Sequence, residues 1–251
     1  MSNDSTVDDV RKVFDAQNAR RWAVAQSTAQ ERIEKLTLLK DAIVSHRNEL
    51  ADAVQADFRK HAAEFEFTDI YPVLEELNFA IKHLASWMEP VHAKSTLELI
   101  GTRSTVRYEA LGLVLILAPW NYPFHLAFIP LIAAIAAGNC VVLKPSNKTP
   151  NTAGVIEKLI SSAFTQDEIA VITGDHRIAD ALLDLPFDHI FFTGSTAIGK
   201  KVMAAAARSL ATVTLELGGK TPAIIDESAD IETSARRVKS RYSQLSHIPQ
   251  A

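Results

Sequence analysis

From Leu111 onward the chain alternates short apolar runs with helical stretches, and this rhythm restricts the fold more than any other feature. The runs are Leu113–Ala118, Cys140–Lys144, Ile169–Thr173, His189–Thr193, Val213–Leu217 and Ala223–Asp226. Helices fit between and after them at Phe124–Ala137, Thr152–Phe164, Ile178–Leu185, Ala197–Arg208 and Ile231–Val238. Continuous apolar strands separated by helices read as a parallel sheet covered on both faces. The expected class is therefore α/β, a doubly wound, Rossmann-like and mostly parallel sheet. In such a sheet the ligand crevice lies outside the carboxyl ends of the strands. The residues that end each run are thus the first candidates for function.

The first ~95 residues read as helical. Thr28 followed by Glu31 is a capping-box pattern, and Ile33, Leu36, Leu39, Ala42 and Ile43 recur behind it at helical spacing. A further helix is predicted from Thr68 to Met88, with Leu74, Leu77, Ile81 and Leu84 on one face and a stop at Pro90. Leu97–Glu109 is rich in Thr, Val and Ile around Gly101-Thr102 and reads as a β-hairpin. Residues 1–110 are expected to pack on the α/β domain of 111–238, with a divergent tail at 239–251. From Ser240 to Ala251 the periodicity is lost and the sequence turns polar.

A net charge of −4 and a pI near 6.1 give no reason to expect a nucleic-acid or anionic-membrane surface. One cysteine in 251 residues excludes a disulfide framework and a cysteine-based zinc site, and no metal site is expected. It fits a reducing compartment, so a cytoplasmic location is expected. Met1–Val10 carries three aspartates and no apolar h-region, and does not read as a secretory signal. Phe124–Leu143 is apolar for roughly 20 residues, the length of a membrane span. His125, Pro130, Gly138 and Asn139 interrupt it, so it reads as a buried helix, a turn and a buried strand.

Four segments carry candidate chemistry. In Ala118-Pro119-Trp120-Asn121-Tyr122-Pro123-Phe124, the flanking prolines stiffen a turn and fix the direction of the Asn121 amide. In Gly138-Asn139-Cys140-Val141-Val142-Leu143-Lys144-Pro145-Ser146, a lysine ends a buried strand, where it can reach hydroxyls or a phosphate as a compact charge. Phe192-Thr193-Gly194-Ser195-Thr196-Ala197-Ile198-Gly199-Lys200 passes from strand to helix through two glycines but lacks the middle glycine of a dinucleotide turn. In Leu215-Glu216-Leu217-Gly218-Gly219-Lys220, a carboxylate between apolar strand residues looks like a desolvated general base beside a close backbone turn. Taken singly, each has a plain structural alternative: a turn asparagine, a snorkelling lysine, a helix cap and a solvated glutamate. Cys140 sits in a buried-strand setting that favours an inert thiol.

Together, in this order and spacing, the four segments resemble the cofactor-binding half of the aldehyde dehydrogenase superfamily, most closely its class 3-like branch for fatty and aromatic aldehydes. The resemblance runs from the N-terminal helices to about Arg237. It implies oxidation of an aldehyde to a carboxylic acid with NAD or NADP. Asn121 would donate to the oxyanion of a cysteine thiohemiacetal, and Glu216 would activate the deacylating water. Lys144, Trp120, Ser146, Asn147, Gly194, Ser195, Leu217 and Gly218 would hold the cofactor. Asn147 stands where the family often has a glutamate, so a 2′-phosphate is less strongly repelled. Full-length members of the family form homo-oligomers.

The resemblance also implies a nucleophilic cysteine in a Gly-Gln-x-Cys segment about 34 residues past Glu216, near Gln250, and these residues contain none. Asn121, Lys144 and Glu216 cannot replace a thiolate in forming the adduct. The expectation is therefore a truncated enzyme half that does not turn over. Two alternatives stand beside it, a non-catalytic dinucleotide-binding module and a non-functional remnant. An acyl-phosphate reductase of the same superfamily is disfavoured by Glu216.

Overall fold

The computed structural model of the chain describes residues 4–94, 96, 98, 101–220 and 222–243. Helices α1 (Val7–Ala25) and α2 (Ala29–Phe58) open it, each behind a complete capping box, Thr6 with Asp9 and Thr28 with Glu31. A short α3 (Ala62–Phe65) runs into a π-turn at Glu66–Ile70 and then α4 (Tyr71–Trp87). Pro72 explains the irregular junction, because it has no N–H to offer the carbonyl of Thr68 four residues back. That carbonyl instead accepts from His125 Nδ1 at 3.0 Å.

Strands β1 (Val91–Ala93) and β2 (Ser104–Val106) form the antiparallel hairpin. Its first strand lies earlier than the predicted start at Leu97, because Pro90 ends the helix and the chain enters the ladder at once. Leu97, Leu99 and Ile100 fall outside the described residues.

The remainder is the predicted doubly wound unit: β3 (Leu113–Leu117), α5 (His125–Ala136), β4 (Cys140–Lys144), α6 (Pro150–Ala163), β5 (Ile169–Val171), α7 (His176–Leu183), β6 (His189–Gly194), α8 (Thr196–Ala207) and β7 (Thr212–Leu217). The five strands are all parallel, in the order β5-β4-β3-β6-β7. β3 to β5 step one way across the sheet and β6 to β7 the other, so the connection reverses between β3 and β6.

The pleat divides the sheet's side chains between two cores. Val114, Ile116, Val141 and Leu143 face α2, α4, α5 and α6. Leu113, Leu115, Leu117, Cys140 and Val142 face α1, α7 and α8. Helix α1 is tied to this second face by Gln17, which is fully buried and donates through Nε2 to Val141 O at 2.9 Å and Gln166 O at 3.1 Å. Arg32 is also buried; its guanidinium donates to Ala25 O and Ala136 O, the last residues of α1 and α5. A cation at two helix C-termini meets their unpaired carbonyls and negative dipole ends.

Two expectations need correction. Ala223–Asp226 is not a strand. It pairs with no strand among the described residues, and Ile224 stands 88% exposed. Helix α9 (Ile231–Ser243) continues five residues past the predicted stop at Val238, so the predicted loss of helical order at Ser240 does not hold as far as Ser243. The rest of the predicted tail, 244–251, lies outside the described residues. No helix among the described residues is long and apolar enough to cross a membrane, and Phe124–Leu143 is split between α5 and β4 as predicted.

Candidate functional site

A cleft of about 1080 Å³ opens at the carboxyl ends of β3, β4, β6 and β7, where the strand connections reverse. All ten candidates named from sequence line it: Trp120, Asn121, Lys144, Ser146, Asn147, Gly194, Ser195, Glu216, Leu217 and Gly218. They come from segments up to 98 residues apart, Trp120 to Gly218, and only the parallel register brings them together.

The register supplies the geometry. Leu117 pairs with Lys144, so the Pro-Trp-Asn turn leaves β3 level with the lysine. Ala118 N donates to Lys144 O at 3.0 Å, which extends this pairing one residue past the strand. Asn121, half-buried, lies in the turn between β3 and α5. On the other side Thr193 pairs with Glu216 and Gly194 with Leu217, and Gly218 N donates to Gly194 O at 3.2 Å. Ser195 caps α8 and accepts from Ile198 N at 3.4 Å, which turns the N-terminus of α8 towards the cleft. Gly199 lies in the first turn of α8 and passes so close to β7 that a Cβ there would sit 2.7 Å from Leu217 Cδ2.

The electrostatics differ between the two ends of β4. Lys144 is buried, and burial holds its ammonium below the usual lysine range, with Asp175 and Asp4 acting in the opposite sense. Its Nζ donates to Gly174 O at 2.7 Å. Cys140 begins the strand, about 13 Å away at ~3.3 Å per residue. It is wholly buried, its Sγ donates weakly to Asp167 O at 3.6 Å, and burial pushes its thiol up to about 12. It does not line the cleft. The inert reading of this cysteine is the one its surroundings support.

Glu216 departs from the sequence reading. It is exposed rather than desolvated, because β7 is the edge strand and no described element covers its outer side. A strand between apolar neighbours reads as buried only if a further layer packs on it.

Sequence reasoning missed several cleft residues. Asp175, His176 and Asp180 enter from α7 and Lys201 from α8. Asp175 accepts from Arg177 N as the N-cap of α7, and an aspartate just after a glycine is a readable helix start. Behind Asn121, the adjacent Tyr122 ring lies 4.4 Å from Lys60 Nζ, which pairs with Asp69. Nothing local in the sequence joins Lys60 to Tyr122.

The cleft suits an extended anionic ligand. Backbone N–H groups at a capped helix start can receive a phosphate, buried Lys144 offers donors, and Gly218 leaves open space beside the backbone.

Comparison with known proteins identifies the family. The model of the aldehyde dehydrogenase family matches residues 2–244, beyond the Arg237 reached by the motifs. The 4,4'-diaponeurosporen-aldehyde dehydrogenase of Staphylococcus aureus is 44% identical over 207 residues, 82% of this chain and 45% of that protein. Aldehyde dehydrogenase family 3 member B3 of Mus musculus is 44% identical over 213 residues, 84% of this chain and 44% of that protein. A substrate-bound structure of Staphylococcus aureus AldH superposes with a TM-score of 0.86 at 39% identity, covering 93% of this chain and 51% of that one. The chain spans about half the length of the curated relatives it matches.

Proposed function

The chain belongs to the aldehyde dehydrogenase family, and from that premise we propose that its cleft binds NAD or NADP and contributes the cofactor half of an aldehyde-oxidising site. The single observation that carries this reading is the convergence of Lys144, Ser195, Gly194 and Gly218 on one cleft at the reversal of strand order. Lys144 would take the ribose hydroxyls or a phosphate, and Ser195 with the start of α8 would face the pyrophosphate. Trp120, Ser146 and Leu217 would pack along the cofactor. Asn147 is exposed at the cleft and neutral, so it leaves room for a 2′-phosphate and both cofactors are admitted.

When bound, the nicotinamide supplies a hydride acceptor. The chain's own residues would do the rest of what it contributes. The Asn121 amide would donate to the oxyanion formed when a thiolate adds to the aldehyde carbonyl, and removing such a donor raises the barrier by about 3–4 kcal/mol. Glu216 would take a proton from the water that releases the acid. The adduct itself needs a thiolate, and Cys140 is buried, protonated and at the wrong end of β4. These 251 residues are therefore proposed to bind cofactor without oxidising aldehyde. The name of the diaponeurosporen-aldehyde relative supports a long-chain aldehyde as the substrate class of the complete site.

Titration with NAD and NADP, followed by an assay with a long-chain and an aromatic aldehyde, tests this. Saturable binding and no reduced cofactor are expected. Turnover abolished by Cys140→Ser would overturn the expected lack of oxidation and the inert thiol together. A folded chain that binds neither cofactor at millimolar concentration would sink the binding reading, and failure to fold would identify the remnant. The dedicated binding module is favoured only if the chain also behaves as a monomer with little exposed apolar surface, against the exposure of Ile224, Ile225 and Ile231.

A further inference from the structure

Lys144 has a backbone carbonyl, not a carboxylate, as its strongest partner. Its Nζ donates to Gly174 O at 2.7 Å and more weakly to Pro145 O at 3.4 Å. The loop that presents this carbonyl, between β5 and α7, is pinned at three points. Ser5 brackets the residue before it, donating its N–H to Thr173 O at 3.1 Å and accepting from Thr173 N through Oγ at 3.1 Å. Gly174 has φ +137°, a region open to glycine and strained for other residues, and a Cβ there would lie 2.6 Å from Ile178 Cγ1. Ile178 itself is seated in the core on the α1 face, and Asp175 caps α7 immediately after the glycine. The Gly174 carbonyl is thus a fixed acceptor for the Lys144 ammonium, one residue before the cleft-lining Asp175.

We propose that Gly174 is the positioning residue for Lys144: its carbonyl accepts a hydrogen bond from the ammonium and holds the other donors towards the cleft, where they meet cofactor oxygens. An unanchored lysine has four rotatable bonds and would lose that freedom each time cofactor binds. Here the ordering is already done by the fold. This rests on the reading of the cleft as an NAD(P) site. The carbonyl favours the charged ammonium, as do Asp175 on α7 and Asp4 on the N-terminal segment, while burial opposes it.

The test is NAD affinity across pH for the full chain, Lys144→Met, Gly174→Ala and the double variant. Lys144→Met is expected to weaken NAD about tenfold and Gly174→Ala about fivefold, the range of an ordinary net hydrogen bond. In the Lys144→Met background, Gly174→Ala should add less than about twofold, because the lysine it positions is gone. Displacement of the carbonyl from Nζ should also move the alkaline fall-off of affinity to lower pH. An equal loss in both backgrounds means that Gly174 only shapes the loop, which overturns the inference. If the wild type binds NAD and Lys144→Met binds as well, the inference fails and the cleft reading stands; if the folded wild type binds no NAD, both fail. Should Gly174→Ala not fold, the wild-type chain carries the test through its lysine ammonium nitrogen resonances. A protected ammonium signal, absent in Lys144→Met and sharpened by NAD, supports the anchor, and its absence in both states overturns it.

Discussion

Lys60 and Asp69 form a buried ion pair directly behind the Asn121 turn, with Nζ 2.5 Å from Oδ2 and side chains 5% and 0% exposed. The lysine follows the left-handed cap of α2 at Arg59, and the aspartate stands in the π-turn that Pro72 imposes. Thr68 Oγ1 donates to the same carboxylate oxygen at 2.7 Å, and the Tyr122 ring covers the ammonium. Removing one member leaves the other charged and buried, which costs far more than the pair contributes. Asp69→Ala should therefore lower stability by about 3–5 kcal/mol, and the double change Lys60→Met with Asp69→Leu by much less. Denaturant unfolding of the three proteins checks this. Equal losses for the single and double variants would mean that the charges are not coupled.

Cys140 should be silent to thiol reagents in the folded protein at pH 8 and react fully in denaturant, since burial holds its thiol up to about 12. The linkage has a definite sign. The folded chain holds this proton more tightly than the unfolded chain, whose thiol titrates near its ordinary value of 9.0. The contribution is complete below pH 9 and declines as pH rises towards 12. Cys140→Ala removes that decline, so the stability difference between wild type and variant should shrink over this interval. A constant difference would show that the thiol is not protected.

Gly199→Ala should separate stability from binding. Alanine gains about 1 kcal/mol of helix propensity over glycine. Its Cβ meets the flexible end of Leu217 at 2.7 Å, so the leucine moves rather than the backbone. The thermal midpoint should stay nearly unchanged while NAD affinity drops about threefold to tenfold, because Leu217 lines the cleft. Calorimetric titration beside a melting curve reads both. Unchanged affinity would remove Leu217 from the cofactor surface.

The local pattern of the chain was enough to determine the class of fold and the ends of most elements. Continuous apolar runs such as Leu113–Leu117 and Cys140–Lys144 are stable only with both faces covered, and both are buried throughout. The capping box at Thr28 and the lysine, serine and glycines that end strands were equally legible, because caps and turns are short-range chemistry. Strand neighbours were a different matter. Ala223–Asp226 has the composition of a strand and stands exposed, and Glu216 lies on an edge, because pairing depends on what packs alongside and no local pattern encodes that. The same holds for the polar partners. Lys144 with Gly174, Lys60 with Asp69 and Tyr122, and the Thr68 carbonyl with His125 are contacts set by the sheet register and the π-turn. Sequence determined which residues could do chemistry here, and tertiary structure alone decided which of them meet, since a buried charge or carbonyl must find its partner wherever the packed chain brings one.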